Sequence, residues 1–150
     1  MRVVLTTVKE ASVEIEDKIH GQINRGYLLL VGFTFSDTKE VVERMVDKII
    51  NLRVFPDENG KTNLSLENVS GEILSISQFT LYAETKGSRR PSFTSALTPK
   101  EAEQLYLYFN DKIKEKLGKV EVGIFGSDMK VYSINDGPFT LVLDSEELFK

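Results

Sequence analysis

Two polar clusters break into otherwise apolar or turn-forming sequence: Ser75, Ser77, Gln78 and Thr80 within one strand-like run, and Asn135-Asp136-Gly137-Pro138 just ahead of the last apolar segment. Hydroxyls and a carboxamide can donate to a carbonyl or hold a water, but a hydroxyl becomes a nucleophile only beside a base. The chain has one histidine, His20, and no cysteine. A thiolate nucleophile, a cysteine zinc finger, a disulfide and a His-rich metal cage therefore cannot be built within one chain, and a Ser-His-Asp triad would have to use His20. No metal site and no cofactor is expected. Both clusters also fit ordinary roles: hydroxyls along a half-exposed strand face, and an NDGP turn. His20, between Ile19 and Gly21, fits a surface or packed ring in a hairpin. Lys86, Arg89 and Arg90, spaced by Gly87 and Ser88, make the densest basic loop, either a solvated turn or a phosphate contact. Tyr106 and Tyr108 lie near a helix's apolar face and are read as packing.

The elements that must position these groups follow from periodicity. From Arg2 to Phe35 β-branched residues dominate, with Val13 and Ile15 alternating with polar neighbours and reversals at Asp17-Lys18 and Asn24-Arg25-Gly26. Ser36 or Asp37, with Glu40 behind it, is expected to cap a helix whose stripe is Val41, Val42, Met45, Val46 and Ile49. Arg53-Val54-Phe55 is a short strand leading to the Asn59-Gly60 turn. Glu72 to Tyr82 is a strand carrying the first polar cluster, and Glu84 to Ser92 a loop. Thr98-Pro99 with Glu101 opens a second helix, with Ala102, Leu105, Phe109 and Ile113 on one face and Gly118 at its end. Strands are expected again at 119–125, 130–134 and 139–143, separated by Gly126-Ser127-Asp128 and the NDGP turn. This order predicts an α+β fold: a sheet-on-sheet sandwich or barrel-like core with two main helices packed on one outer face.

At 150 residues, 41% hydrophobic and 28% charged, the composition excludes wholesale disorder and fits one domain over residues 1–150. Nineteen basic against 23 acidic residues give a net charge of −4, which argues against a general nucleic-acid coat and against DNA as a partner. The first residues turn polar without an apolar signal region, and Tyr27–Phe35 is far short of the ~20 residues a membrane span needs. A soluble, cytoplasmic protein with no membrane partner is the expectation.

Several blocks together carry a resemblance. Ser77-Gln78-Phe79-Thr80-Leu81-Tyr82-Ala83, Arg89-Arg90-Pro91-Ser92-Phe93, Phe125-Gly126-Ser127-Asp128-Met129-Lys130-Val131 and Asn135-Asp136-Gly137-Pro138-Phe139-Thr140, in that order and spacing, resemble the D-aminoacyl-tRNA deacylase family. Asn51-Leu52-Arg53 and Asn63-Leu64-Ser65 fit as well, so the similarity runs nearly end to end. It implies a homodimer that hydrolyses the ester between a D-amino acid and the 3′-terminal ribose at the CCA end of tRNA. Ser77, Gln78, Phe79 and Thr80 would line the catalytic pocket. Gly137 and Pro138, joined by a cis peptide, would enter the partner's pocket and select chirality. Phe125 and Met129 would hold the terminal adenosine, and Lys86, Arg89 and Arg90 would contact tRNA.

Such an ester needs little help, since the α-ammonium activates it and a vicinal ribose hydroxyl lies within reach. Thr80 as a covalent nucleophile is the alternative route. Glycine, with no side chain to clash, should pass the chiral filter. One departure stands out: the family usually has arginine where this chain has Thr7, and Arg2, Arg89 or Arg90 is expected to take over support of the Gly-Pro loop. Rival functions are a non-catalytic RNA-end module, like editing domains of some threonyl-tRNA synthetases, and an esterase for small metabolites.

Overall fold

The computed structural model describes residues 1–150. Its strands are β1 (Arg2–Ile15), β2 (Lys18–Ile23), β3 (Gly26–Gly32), β4 (Arg53–Pro56), β5 (Thr62–Ser65), β6 (Glu72–Ser77), β7 (Glu121–Val122) and β8 (Lys130–Asp144). The helices are α1 (Lys39–Asn51), α2 (Pro99–Leu117) and α3 (Ser145–Phe149).

β1 organises the sheet. Its first half pairs antiparallel with β3, its second half with β2, and its other edge runs along β8 from Arg2↔Asp144 to Glu14↔Lys130. β6 then adds parallel to β3, and β7 parallel to β6. Because β2 folds over against β6 and β7, the sheet curls nearly closed. β4 and β5 form a separate hairpin.

Side-chain alternation explains why β3 is apolar at nearly every position: Tyr27, Leu29 and Val31 face the helices, while Leu28 and Leu30 face the interior of the curl. The larger core lies between the outer sheet face and α1 with α2, where Leu5, Leu29, Met45, Ile49, Phe109 and Ile113 meet. The smaller one fills the curl with Val8, Ala11, Val13, Ile23, Leu74 and Ile76. β1 serves both, since its register slips between Thr6 and Ala11 and its apolar positions change face there. The α+β class, the barrel-like core and the two main helices on one outer face agree with expectation.

Four local expectations are corrected. The cap of α1 is Thr38, whose hydroxyl accepts the Val41 amide at 3.3 Å; Asp37 instead accepts from the Met1 ammonium and from the Thr34 amide. β6 stops at Ser77, and Phe79–Tyr82 is a 3₁₀ turn rather than strand. The strand expected over 119–125 shrinks to Glu121–Val122. Finally, 130–134 and 139–143 belong to one continuous strand, β8, with Asp136–Phe139 bulging out of it. No helix is long and apolar enough to cross a membrane.

Candidate active site

The site grows from the C-terminal end of β6. Ile73, Leu74, Ser75 and Ile76 are buried, and the chain then surfaces through Ser77 and Gln78 into the turn Phe79–Tyr82, where Phe79 and Thr80 are exposed. The Gln78 amide donates to the Val31 carbonyl at 2.7 Å, carrying the β3–β6 pairing one residue further. Beyond it, Leu81 N–H returns to the Gln78 carbonyl at 3.3 Å and Ala83 N–H to the Thr80 carbonyl at 3.0 Å. The amides of Phe79 and Thr80 open this turn, where no preceding turn supplies acceptors, so they suit an incoming oxyanion.

A cavity of about 560 Å³ opens beside that turn. Ser77, Gln78 and Phe79 form one wall, Phe125 to Met129 with Val131 another, and Phe93 with Leu97, Thr98, Pro99 and Ala102 the third. Phe93 meets Phe79 edge-on, ring centres 5.0 Å apart at 67°. Phe125 leans on Tyr106 at 6.0 Å and 43°. An aromatic ring, a thioether and a few polar groups suit a flat heterocycle with a polar appendage.

Tyr106 anchors this corner: its hydroxyl donates to the Ser75 carbonyl at 2.7 Å, tying α2 to β6. Burial pushes the Tyr106 phenol above its ordinary pKa, so it stays protonated as a donor. Ser75, part of the sequence cluster, is wholly buried and outside the cavity wall.

Of the sequence-derived candidates, Ser77, Gln78, Phe79, Phe125 and Met129 therefore gather around one cavity. Thr80 lies next to it on the turn, its hydroxyl accepting from Gln78 Nε2 at 2.7 Å, with no carboxylate or imidazole bonded to it. His20 is exposed on β2. Lys86, Arg89 and Arg90 are exposed on the loop closed by the Glu84–Ser92 bridge and do not line the cavity. Gly137 and Pro138 are exposed on the β8 bulge, their peptide bond cis. Gly137 borders a different concavity, of about 240 Å³, with Thr7, Arg25 and Phe55. Within one chain, then, the Gly-Pro tip does not reach the cavity at Ser77.

The expected replacement of arginine at position 7 is also corrected. Thr7 itself supports the bulge, its hydroxyl donating to the Asp136 carbonyl at 2.8 Å, and the Asn135 side chain bridges the bulge by accepting from the Phe139 amide and donating to Thr140. Arg2 is engaged elsewhere, with Asp144 and the Leu81 carbonyl. Residue patterning missed the third cavity wall. Its one signal was the Arg90-Pro91-Ser92-Phe93 block.

A nearly closed sheet backed by two helices, with a mixed polar and aromatic cavity at the end of a parallel strand, is the architecture of a family that comparison with known proteins identifies. The sequence model described as D-Tyr-tRNA(Tyr) deacylase matches residues 4–144, and this chain belongs to that family. The chain is 54% identical to the D-aminoacyl-tRNA deacylase of an Exiguobacterium species over 144 residues, covering 96% of this chain and 98% of that one. It is 51% identical to the D-aminoacyl-tRNA deacylase of Bacillus velezensis over 147 residues, covering 98% and 100%. Among solved structures it is similar to one named c-Myc DNA Unwinding Element Binding Protein, with TM-score 0.90 and 38% identity over 96% of this chain and 98% of that chain.

Proposed function

We propose that this chain, acting as one domain over residues 1–150, hydrolyses the ester of D-aminoacyl-tRNA to free D-amino acid and tRNA. The carrying observation is the cavity at the end of β6, where Ser77, Gln78 and Phe79 face Phe125 and Met129. The terminal adenosine fits between Phe125 and Met129, which leaves the ester beside Gln78 and the amides of Phe79 and Thr80. Those amides receive the developing oxyanion, each such donor contributing about 2.7–4 kcal/mol in acyl-transfer sites. Holding the vicinal ribose hydroxyl or a water in line supplies several kcal/mol more, roughly 7–11 in the best intramolecular cases. Thr80, with a carboxamide rather than a base as its partner, stands at the pocket's edge and does not attack.

Chirality is set in this reading by a second copy of the chain, whose Gly137-Pro138 tip enters the cavity and leaves no room for the side chain of an L-amino acid; glycyl-tRNA passes. Two features support pairing. The tip stands away from its own cavity, and β8 carries exposed apolar side chains, Tyr132, Ile134 and Val142 at 53%, 47% and 68% exposure, that a second copy would help cover. Lys86, Arg89 and Arg90 contact the phosphates of the CCA end. The net charge of −4 supports a few end contacts over a DNA-binding role of the kind named for the solved relative.

Matched D- and L-tyrosyl-tRNA, incubated with the purified protein and a chelator, test the reading. Rapid release from the D-form alone is expected. Binding without hydrolysis of either form would establish the RNA-end module instead.

A further inference from the structure

We propose that Arg2 is a positioning residue for the chemical step, its guanidinium clamping the turn that presents the Phe79 and Thr80 amides; the inference rests on the deacylase reading above. Arg2 sits opposite Asp144 across the β1–β8 ladder. Its Nε donates to Asp144 Oδ2 at 2.8 Å, its Nη1 donates to the Leu81 carbonyl at 2.9 Å, and its guanidinium carbon lies 4.5 Å from the Tyr82 ring centre. Two of these three contacts fall on the turn itself.

The turn needs such a hold. A single four-residue 3₁₀ turn, its ends marked by Leu81 N–H to the Gln78 carbonyl and Ala83 N–H to the Thr80 carbonyl, is too short for its own bonds to fix its orientation. Its other side rests on Gly32, where a Cβ would lie 2.8 Å from the Gln78 carbonyl oxygen and 3.1 Å from the Leu81 Cβ. Gly32 thus lets the turn lie flat on β3, and Arg2 stops it from lifting. Asp144 keeps the guanidinium fork aimed, because a planar fork can serve a carboxylate and a carbonyl at once in fixed geometry. A lysine ammonium is a point charge without that geometry. Tyr82 is buried with no hydrogen bond from its hydroxyl, so ring packing and the cation above it hold that end of the turn. The clamp touches neither the adenosine walls nor the Gly-Pro tip, so its loss should act on the rate and leave binding and chirality nearly intact.

The test compares wild type, Arg2→Met and Arg2→Lys in single-turnover and steady-state hydrolysis of D-tyrosyl-tRNA, with amide hydrogen exchange over Phe79–Tyr82. In Arg2→Met the single-turnover rate should fall ten- to a hundred-fold with KM within three-fold of wild type, Arg2→Lys should lie between, and exchange at the hydrogen-bonded Leu81 amide should rise at least ten-fold while the β6 amides stay protected. Ile113→Val, a core change at the far end of α2, should lower Tm without changing the rate. A wild-type rate in folded Arg2→Met, a KM rise at unchanged rate, or unaltered exchange overturns the proposal. If Arg2→Met does not fold, Arg2→Lys is read by the same criteria. If wild type hydrolyses neither D- nor L-substrate, the deacylase reading falls, and the exchange data alone decide the clamp.

Discussion

The Thr7 hydroxyl donates to the Asp136 carbonyl at 2.8 Å, across 129 residues of sequence. Thr6 pairs with Thr140 and Val8 with Asn135, so on β1 Thr7 alone stands opposite the four residues Asp136–Phe139. Its hydroxyl replaces the ladder bonds that the bulge gives up. Thr7→Val should lose this bond to the exposed Asp136, at a cost of about 0.5–1.5 kcal/mol, and loosen the tip that in the proposed reading excludes L-substrates. A fall of several-fold in the ratio of D- to L-tyrosyl-tRNA hydrolysis is expected, with Thr7→Ser retaining it. An unchanged ratio in Thr7→Val would mean that Asn135 alone holds the tip.

Thr80→Ala should keep measurable activity, within about ten-fold to thirty-fold of wild type, because in the proposed reading the Gln78–Thr80 bond orients the pocket edge and the hydroxyl makes no covalent intermediate. Hydrolysis of D-tyrosyl-tRNA by a variant of wild-type circular dichroism is the measurement. Complete loss would instead assign Thr80 as nucleophile.

Acid should weaken the fold through two anchored carboxylates. The Asn24 amide, then Lys119, hold Glu72 below its ordinary value of 4.5. For Asp144, burial pulls upward but is outweighed by the Arg2 hydrogen bond and the Glu146 amide, which keep it below 3.8. Both folded pKa values are depressed, so their contribution is complete above the unfolded values and disappears as pH falls through the folded ones. Urea midpoints should be flat from neutrality down to about pH 5 and decline below it, and Glu72→Gln should flatten part of that decline.

Tyr106→Phe should cost about 0.5–1.5 kcal/mol in urea unfolding, since the Ser75 carbonyl loses its phenolic donor inside the core but keeps the Gly123 amide at 3.2 Å. Phe125 leans on the same ring, so KM for D-tyrosyl-tRNA should rise with little change in kcat. An unchanged KM would show that the Phe125 wall stands without Tyr106.

With Lys86, Arg89 and Arg90 as the phosphate contacts, the logarithm of affinity should fall against the logarithm of salt with a slope of about −1.4 to −2.7, two or three phosphates at roughly −0.7 to −0.9 each. Arg89→Ala should reduce the slope by about one. A slope near −8 would require a much larger tRNA footprint.

Local signals were legible where local forces decide. Thr98-Pro99 and Gly118 bound α2 as expected, and the stripe Val42, Met45, Val46 and Ile49 is buried. The start of α1 was misplaced because Ser36, Asp37 and Thr38 can all cap, and the choice falls to a tertiary event: Asp37 is taken by the Met1 ammonium. Asn135–Pro138 has turn chemistry, yet the strand continues through it because β1, more than a hundred residues earlier, pairs on both sides of the bulge. Similarly, Arg2 and Thr7 have partners 79 and 129 residues away and leave no local trace. The cavity was legible only in the joint occurrence of several blocks, because its walls come from three separate segments.

The first strand's dependence on the last has a consequence for synthesis. Until Lys130–Asp144 leaves the ribosome, β1 can pair with β2 and β3 but keeps one whole edge open. Such long-range closure makes for slow folding and a sticky nascent chain, so arrested chains ending near residue 125 should engage holding chaperones that full-length chains escape.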